Sequence, residues 1–308
     1  MDLSEIHANF HKKKIAEAAA ATKGKKYWEF GGDVVSNPLK TALSDGSFRK
    51  TDKPRAEGLD PSQIHGMCYR AKMFAENLKK VMGSDPVVSQ MSFDETISAT
   101  LQAKFDIGHA IHHWYQNFYL GPMGILRGGW RCSKCGTTVQ GFRPADVCSC
   151  GSDHWRFVEP ETNIPELGIV GHCDGIIDRG DGEWVMDIKT INPDLFKSLS
   201  EPSLSYIYQV HCYMMALKIN RSIILYVDKS SNLANPTKEI KIYFNPDIEA
   251  DIRQYAEDYR KMREQKILTP CTCENKSCTS AKRCGYSEIC FDQDLSNRFE
   301  KAWKGSNG

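Results

Sequence analysis

The chain is 308 residues long, 41% apolar and 26% charged, with a formal net charge of +1. This length can bury a full core, as one large domain with appendages or as two small ones. The near-neutral balance excludes a uniformly basic nucleic-acid coat but leaves room for a local groove. The amino terminus (MDLSEIHANFHKKK) lacks the basic-then-apolar order of a signal peptide, and no apolar run is long enough to span a bilayer. A cytoplasmic protein with no membrane partner is the expectation.

In chain order, residues 1–60 read as a polar, partly helical arm in which Lys12-Lys13-Lys14 and Lys23-Gly24-Lys25-Lys26 flank an alanine-rich stretch; a solvated face and a DNA-contacting arm both fit. Residues 61–130 turn helical, first in SQIHGMCYRAKMFAENLKKVM and then over roughly Phe93 to Tyr119, with Ser92 as N-cap and Glu95 three residues on. Residues 131–157 form an insert rich in Cys, Gly and Ser. The stretch 158–268 opens with GIVGHCDGIID, a DRGDGE turn and EWVMDIKTI, which read as a β-hairpin. A helix over about Ser203–Lys218, strands at SIILYVDK and EIKIYF, and a charged helix from about Asp247 to Gln265 complete it. Residues 269–295 hold a cysteine cluster and 296–308 a tail. Helix, strands, helix and strands in this order predict an α/β fold with a mixed sheet covered on both faces.

Four short patterns in this stretch carry chemistry: Gly108-xxx-His112, Gly171-xx-Asp174, Asp187-Ile188-Lys189 and Gln209-xxx-Tyr213. Residues two apart on a strand share a face, so Asp187 and Lys189 do. A two-residue turn at Gly180-Asp181 sets Asp174 opposite Asp187; moving it to Asp181-Gly182 sets Asp174 opposite Lys189; an odd loop splits them across the sheet. Two carboxylates on one buried face need a compensating cation, and hard oxygen ligands suit Mg²⁺ or Mn²⁺. Lys189 could then orient a water or stabilise charge developing at phosphorus. On its helix, Ile97, Leu101, Phe105, Gly108 and His112 follow four, four, three and four apart, a stripe that aims His112 at the core with Gly108 permitting close approach. His109 and His113 fall off this stripe. Gln209 and Tyr213 share one helix face, able to bond a DNA phosphate or to hold Lys189.

In order and spacing, these four patterns resemble the RecB-like branch of the PD-(D/E)xK nuclease superfamily. The resemblance covers Gly108 to Tyr213. It implies a restriction-endonuclease-like, three-layer αβα core. It also implies metal binding by His112, Asp174, Asp187 and the carbonyl of Ile188, with Lys189 catalytic and Gln209 and Tyr213 organising the site and contacting substrate. That branch leans towards exonucleases that process DNA ends in recombination, repair or replication. Single-stranded or end-containing DNA is therefore the expected partner, with recombination or replication proteins beside it. A structure-specific endonuclease and a non-catalytic nucleic-acid-binding protein are the alternatives.

Twelve cysteines in a cytosolic chain point to metal more than to disulfides. Cys132, Cys135, Cys148 and Cys150 have the look of a zinc ribbon, with twelve residues between knuckles and one spacer in the second knuckle where two are common. His154 is the alternative to Cys150. A bound Zn²⁺ is expected, either holding a self-contained fold that lacks a core or shaping a DNA-contacting module with Arg127, Arg131, Lys134 and Arg143. Further on, Cys284-GYSEI-Cys290 resembles the carboxy-terminal iron–sulfur motif of AddAB-type helicase–nucleases and CRISPR-adaptation nucleases. The resemblance implies a [4Fe–4S] cluster held by Cys68, Cys278, Cys284 and Cys290, stapling the ends of the nuclease together. The step from Cys278 to Cys284 is longer than that family's two-residue spacing, so Cys271, Cys273 and Cys278 all remain open as the second ligand. A second Zn²⁺ on Cys271, Cys273, Cys278 and Cys284 is the rival. Cys173 and Cys212 read as core residues.

Overall fold

A run that is apolar without alternation, Ile223-Ile224-Leu225-Tyr226-Val227, predicts a strand covered on both faces, and all five residues are buried. In the computed structural model this run is the middle of a mixed sheet. Residues 28–31, 59–66, 68–91, 99–230 and 236–306 are described. The lysine-rich stretches of residues 12–14 and 23–26, the expected cap at Ser92 and the stripe residue Ile97 lie outside them.

The described residues divide into two compact units, one of residues 28–31, 59–65, 99–230 and 236–253, the other of residues 66, 68–91 and 254–306. The first carries the sheet. Its strands are β1 (Trp28–Gly31), β2 (Leu126–Cys132), β3 (Thr138–Phe142), β4 (Trp155–Val158), β5 (Gly175–Asp178), β6 (Glu183–Ile191), β7 (Arg221–Asp228) and β8 (Thr237–Tyr243). They run in the order β1-β8-β7-β6-β5-β2-β3, and β4 pairs with β2. The β6–β7 pair is parallel and the others antiparallel. A parallel pair needs a long crossover, here filled by helices Pro193–Ser198 and Leu204–Leu217, the latter opening on the expected Ser203. β1 pairs with β8 and lies in the stretch that the sequence marks only as a polar, partly helical arm.

Three layers result. Met186 and Ile188 of β6, with Ile223, Leu225 and Val227 of β7, pack under Tyr115, Tyr119 and Leu120 from the end of the helix Ala99–Trp114 and the π-helical turn Tyr115–Leu120 that continues it. The opposite face presents Asp187 and Lys189 to the Leu204–Leu217 helix. The helical stripe expected on Ala99–Trp114 fails at Phe105, which is 46% exposed. Periodicity identifies a helix face but not where its partner begins, and among the described side chains of this helix Ile111 and Trp114 pack onto this core. The close approach at Gly108 is mild: a Cβ there would sit 3.4 Å from Thr190 Oγ1. No described helix is long and apolar enough to cross a membrane.

The β5–β6 register pairs Gly175 with Met186 and Asp178 with Glu183. The connection is therefore four residues, Arg179 to Gly182, in place of the two-residue turn. It is still even, and the same register carries Asp174 opposite Asp187.

The second unit packs the helix Tyr69–Met82 against the helix Gln293–Gly305, with the Phe74 ring edge-on to Phe299 at 4.9 Å. Met73, Phe74, Leu78, Ile289 and Phe299 are buried there, and Arg298 closes an ion pair to Asp85 at 2.7 Å.

Gly175 has φ of +152°, and a Cβ there would lie 2.3 Å from Leu126 Cδ1. Gly175→Ala is expected to destabilise the protein by about 2 kcal/mol or more, whereas Gly108→Ala changes stability by less than about 1 kcal/mol; urea denaturation of the two variants checks the contrast.

Candidate active site

Asp174 lies just before β5, where its amide donates to the Met186 carbonyl at 3.1 Å. Its carboxylate is held from two sides. Oδ1 meets His112 Nδ1 at 2.9 Å, and Oδ2 accepts from the Ile188 amide at 2.6 Å. The side chain of Ile188 points the other way, into the core. Asp187, one step along β6, is 2% exposed. Lys189 Nζ donates to Asp187 Oδ1 at 3.1 Å and lies 3.0 Å from Oδ2. That second oxygen is buried with no hydrogen-bond geometry to any described donor.

Lys189 is held on its other sides too. It donates to Gln209 Oε1 at 2.8 Å and lies 4.6 Å from the centre of the Tyr206 ring. Gln209 Nε2 in turn donates to the Tyr213 hydroxyl at 2.7 Å. Of the two expectations for this helix face, the geometry matches the holding of Lys189, since Gln209 and Tyr213 are both buried.

The electrostatics follow from crowding acids in a dry place. Burial pushes Asp187 above its ordinary carboxylate value, Lys189 offsetting this only in part and Asp174 adding to it. Burial also works against ionised Asp174, but His112 at Oδ1 outweighs it and holds this carboxyl below its usual range. His112 is raised in turn: burial opposes its charge and the Asp174 carboxylate more than compensates. Burial lowers the affinity of Lys189 for its proton, yet Asp187 and Asp174 keep it above the ordinary lysine value.

Two residues not singled out in the sequence join this group. Gln116, in the π-helical turn, donates from Nε2 to the Asp174 carbonyl at 2.9 Å and to Glu159 Oε1 at 3.0 Å. Glu159 follows β4, and its carboxylate, His112 and Asp174 offer ligand atoms within 4.8 Å of one another. An i, i+4 step from His112 would have pointed to Gln116. No local pattern marks Glu159; it arrives because β4 and β5 pair with successive parts of β2. Three carboxylates, those of Asp174, Asp187 and Glu159, with the imidazole of His112 form a donor set that fits Mg²⁺ or Mn²⁺. Of the neighbouring histidines, His109 is exposed and His113 packs on Phe118.

In the same unit, Cys132 Sγ lies 3.6 Å from Cys150 Sγ, and Cys135 Sγ lies 3.5 Å from Cys148 Sγ. All four lie within 4.8 Å. A Zn–S length of about 2.3 Å places tetrahedral thiolates about 4 Å apart, so the set fits one such ion. His154 is not among them; it is exposed beside Asp153. The ribbon shares the sheet's core through Cys132, Cys148 and Trp155, so it is not self-contained. Of its basic residues, Arg127 pairs with Glu183 of β6.

In the other unit, Cys68, Cys271, Cys273, Cys284 and Cys290 line one pocket. Cys278 is not among these lining residues; its sulfur accepts from the Ala281 amide at 3.4 Å and caps the short helix Thr279–Arg283. Cys173 and Cys212 are buried, as expected of core residues.

Residues 133–291, just over half of the chain, match the profile of the PD-(D/E)XK nuclease superfamily. No curated protein matches the chain. Among solved structures it is similar to SSO0001, at 16% identity and a TM-score of 0.38, over 78% of this chain and 88% of that one. It is also similar to LHK-Exo in complex with dAMP, at 12% identity and 0.38, over 75% and 91%. A further match is the alkaline exonuclease LHK-Exo from Laribacter hongkongensis, at 12% and 0.35, over the same shares of 75% and 91%.

Burial, with Asp174 adding to it, pushes Glu159 from 4.5 up to about 7. A raised carboxyl contributes stability below its unfolded value and loses that contribution as pH climbs through the folded one. In EDTA, Glu159→Gln is therefore expected to flatten a loss of stability between about pH 4.5 and 7; urea midpoints across that range, compared with wild type, provide the check.

Proposed function

Because the chain belongs to the PD-(D/E)XK nuclease superfamily, we propose that it is a divalent-metal-dependent deoxyribonuclease, and specifically an exonuclease that hydrolyses phosphodiester bonds at DNA ends. The observation that carries the reading is the buried pair Asp174 and Asp187 with Lys189 hydrogen-bonded between Asp187 and Gln209. The preference for ends rests on the resemblance of the motif order to the RecB-like branch.

Phosphodiester hydrolysis demands a barrier reduction near the upper end of enzymatic values, roughly 20 kcal/mol. A single preorganised donor such as Lys189 contributes only about 3–4 kcal/mol, so the site needs a cation as well. Asp174, Asp187, His112 and the Ile188 carbonyl would hold it, with Glu159 as a further carboxylate on the His112 side. A bound Mg²⁺ or Mn²⁺ supplies Lewis acidity and charge neutralisation at the scissile phosphate. The chain's own residues do the rest. Lys189, aligned by Gln209 and Tyr213, presents its ammonium where charge develops on the phosphoryl oxygens. His112 and the Ile188 amide fix the Asp174 carboxylate in one orientation. Gln116 ties the π-helical turn to the same strand end. The ribbon would carry Zn²⁺ as a structural ion.

Asp187→Ala and Lys189→Ala are each expected to lower Mg²⁺-dependent cleavage of end-labelled linear DNA by at least about 1000-fold while retaining DNA binding. Equal activity of Asp187→Ala and wild type would remove the assignment. Closed circular DNA should survive; its cleavage at a comparable rate favours the endonuclease. Metal analysis should find one zinc per chain, lost when both Cys135 and Cys148 are changed to serine.

A further inference from the structure

We propose that Cys271, and not Cys278, is the fourth thiolate, with Cys68, Cys284 and Cys290, of an iron–sulfur cluster in the carboxy-terminal unit. The inference rests on the reading that this unit holds a cluster, and it concerns which sulfurs reach it.

Three observations lead there. Five thiols, those of Cys68, Cys271, Cys273, Cys284 and Cys290, line the pocket. Cys278 is not one of them. Its sulfur lies at the start of the helix Thr279–Arg283, where it accepts from the Ala281 amide. Ala281, 1% exposed, brings a methyl to the pocket wall at the position three residues before Cys284. The Cys271 thiol, which donates to the Cys273 carbonyl at 3.7 Å, interacts with Cys290, while the next residue, Thr272, donates to Cys68 Sγ at 3.8 Å. The segment from Cys271 to Cys273 thus lies over the pocket and delivers a sulfur that Ala281 cannot.

The spacing of the sulfurs distinguishes a cluster from a single ion. Among the described residues, no three of these thiols come within 4.8 Å of one another, whereas the four ribbon thiols do. One zinc draws its thiolates to about 4 Å. A cluster places iron and sulfide between its ligands and holds them farther apart.

Charge is the third observation. Arg70 is 8% exposed, donates from Nη1 to the Thr269 carbonyl at 2.7 Å, and leaves Nε without a partner. No carboxylate pairs with it among the described residues; its guanidinium lies 5.4 Å from the centre of the Phe74 ring, and its charge acts on Cys290. A buried cation needs a counter-charge, and thiolates bound to a cluster supply one.

The test uses the full chain purified without oxygen, reading iron and acid-labile sulfide per chain and absorbance near about 400 nm. Wild type, Cys273→Ser and Cys278→Ser are expected to be brown, with about four irons each. Cys271→Ser should lose more than half of the iron, and Cys271→Ser combined with Ala281→Cys should regain it, which separates a missing ligand from a failure to fold. Full iron in Cys271→Ser, loss in Cys278→Ser, or no recovery in the double variant would overturn the assignment. A wild type holding zinc and no iron would overturn the cluster itself. Neither result bears on the nuclease reading, which the Asp187→Ala comparison tests separately.

Discussion

The sheet forces two carboxylates together in a buried place, and the site is organised around that repulsion. The β5–β6 register sets Asp174 across from Asp187, and both lie in the interior. Neighbouring buried carboxylates cannot both ionise unless positive charge stands beside them. The protein supplies some of it: Lys189 on one acid and His112 on the other. Each has its own proton affinity raised by the acids it serves. Asp187 is nonetheless left above its ordinary value, with one buried oxygen that Lys189 faces without a hydrogen bond. Such a pair has little structural use, since apolar residues of similar volume would pack as well. The proposed cation would relieve the repulsion at its origin.

The remaining elements can be understood as keeping that pair in register. The parallel β6–β7 pairing anchors the strand that carries Asp187 and Lys189 in the middle of the sheet, and its crossover returns a helix that grips Lys189 through Gln209. The π-helical turn rotates Gln116 and Asn117 towards the strand ends, where Gln116 meets Asp174 and Asn117 accepts from the Phe157 amide at 2.7 Å. Short π segments often sit at functional sites because they redirect side chains without ending the helix. The two thiol sets then differ in kind. The ribbon is a tight cage fused to the sheet core, and the carboxy-terminal set lines a pocket in which no three thiols approach as closely.

Much of the site was legible because its signals are local. Lys189 and Gln209 lie on elements with clear periodicity, and an even hairpin loop keeps Asp174 on the face of Asp187 and Lys189 whatever its length. What escaped was set by tertiary structure. Glu159 has no neighbour in sequence that marks it and depends on two separate strands sharing the β2 edge. Phe105 fits an apolar stripe yet is exposed; among the described side chains of its helix, Ile111 and Trp114 pack on the core. Spacing left Cys271, Cys273 and Cys278 open, and which of them lines the pocket is set by how the chain folds back, with Cys278 capping a five-residue helix outside the pocket lining. Gly108 illustrates the same limit, since its motif position is clear and its close approach is slight.

The central claim is that Asp174 and Asp187 share a divalent cation. Crystals of the full chain grown with Mn²⁺, measured for anomalous scattering, test it most directly. The account predicts a peak within coordination distance of both carboxylates and near His112, absent when Asp187 is asparagine. Manganese elsewhere, with Lys189 alone still neutralising the pair, would contradict it.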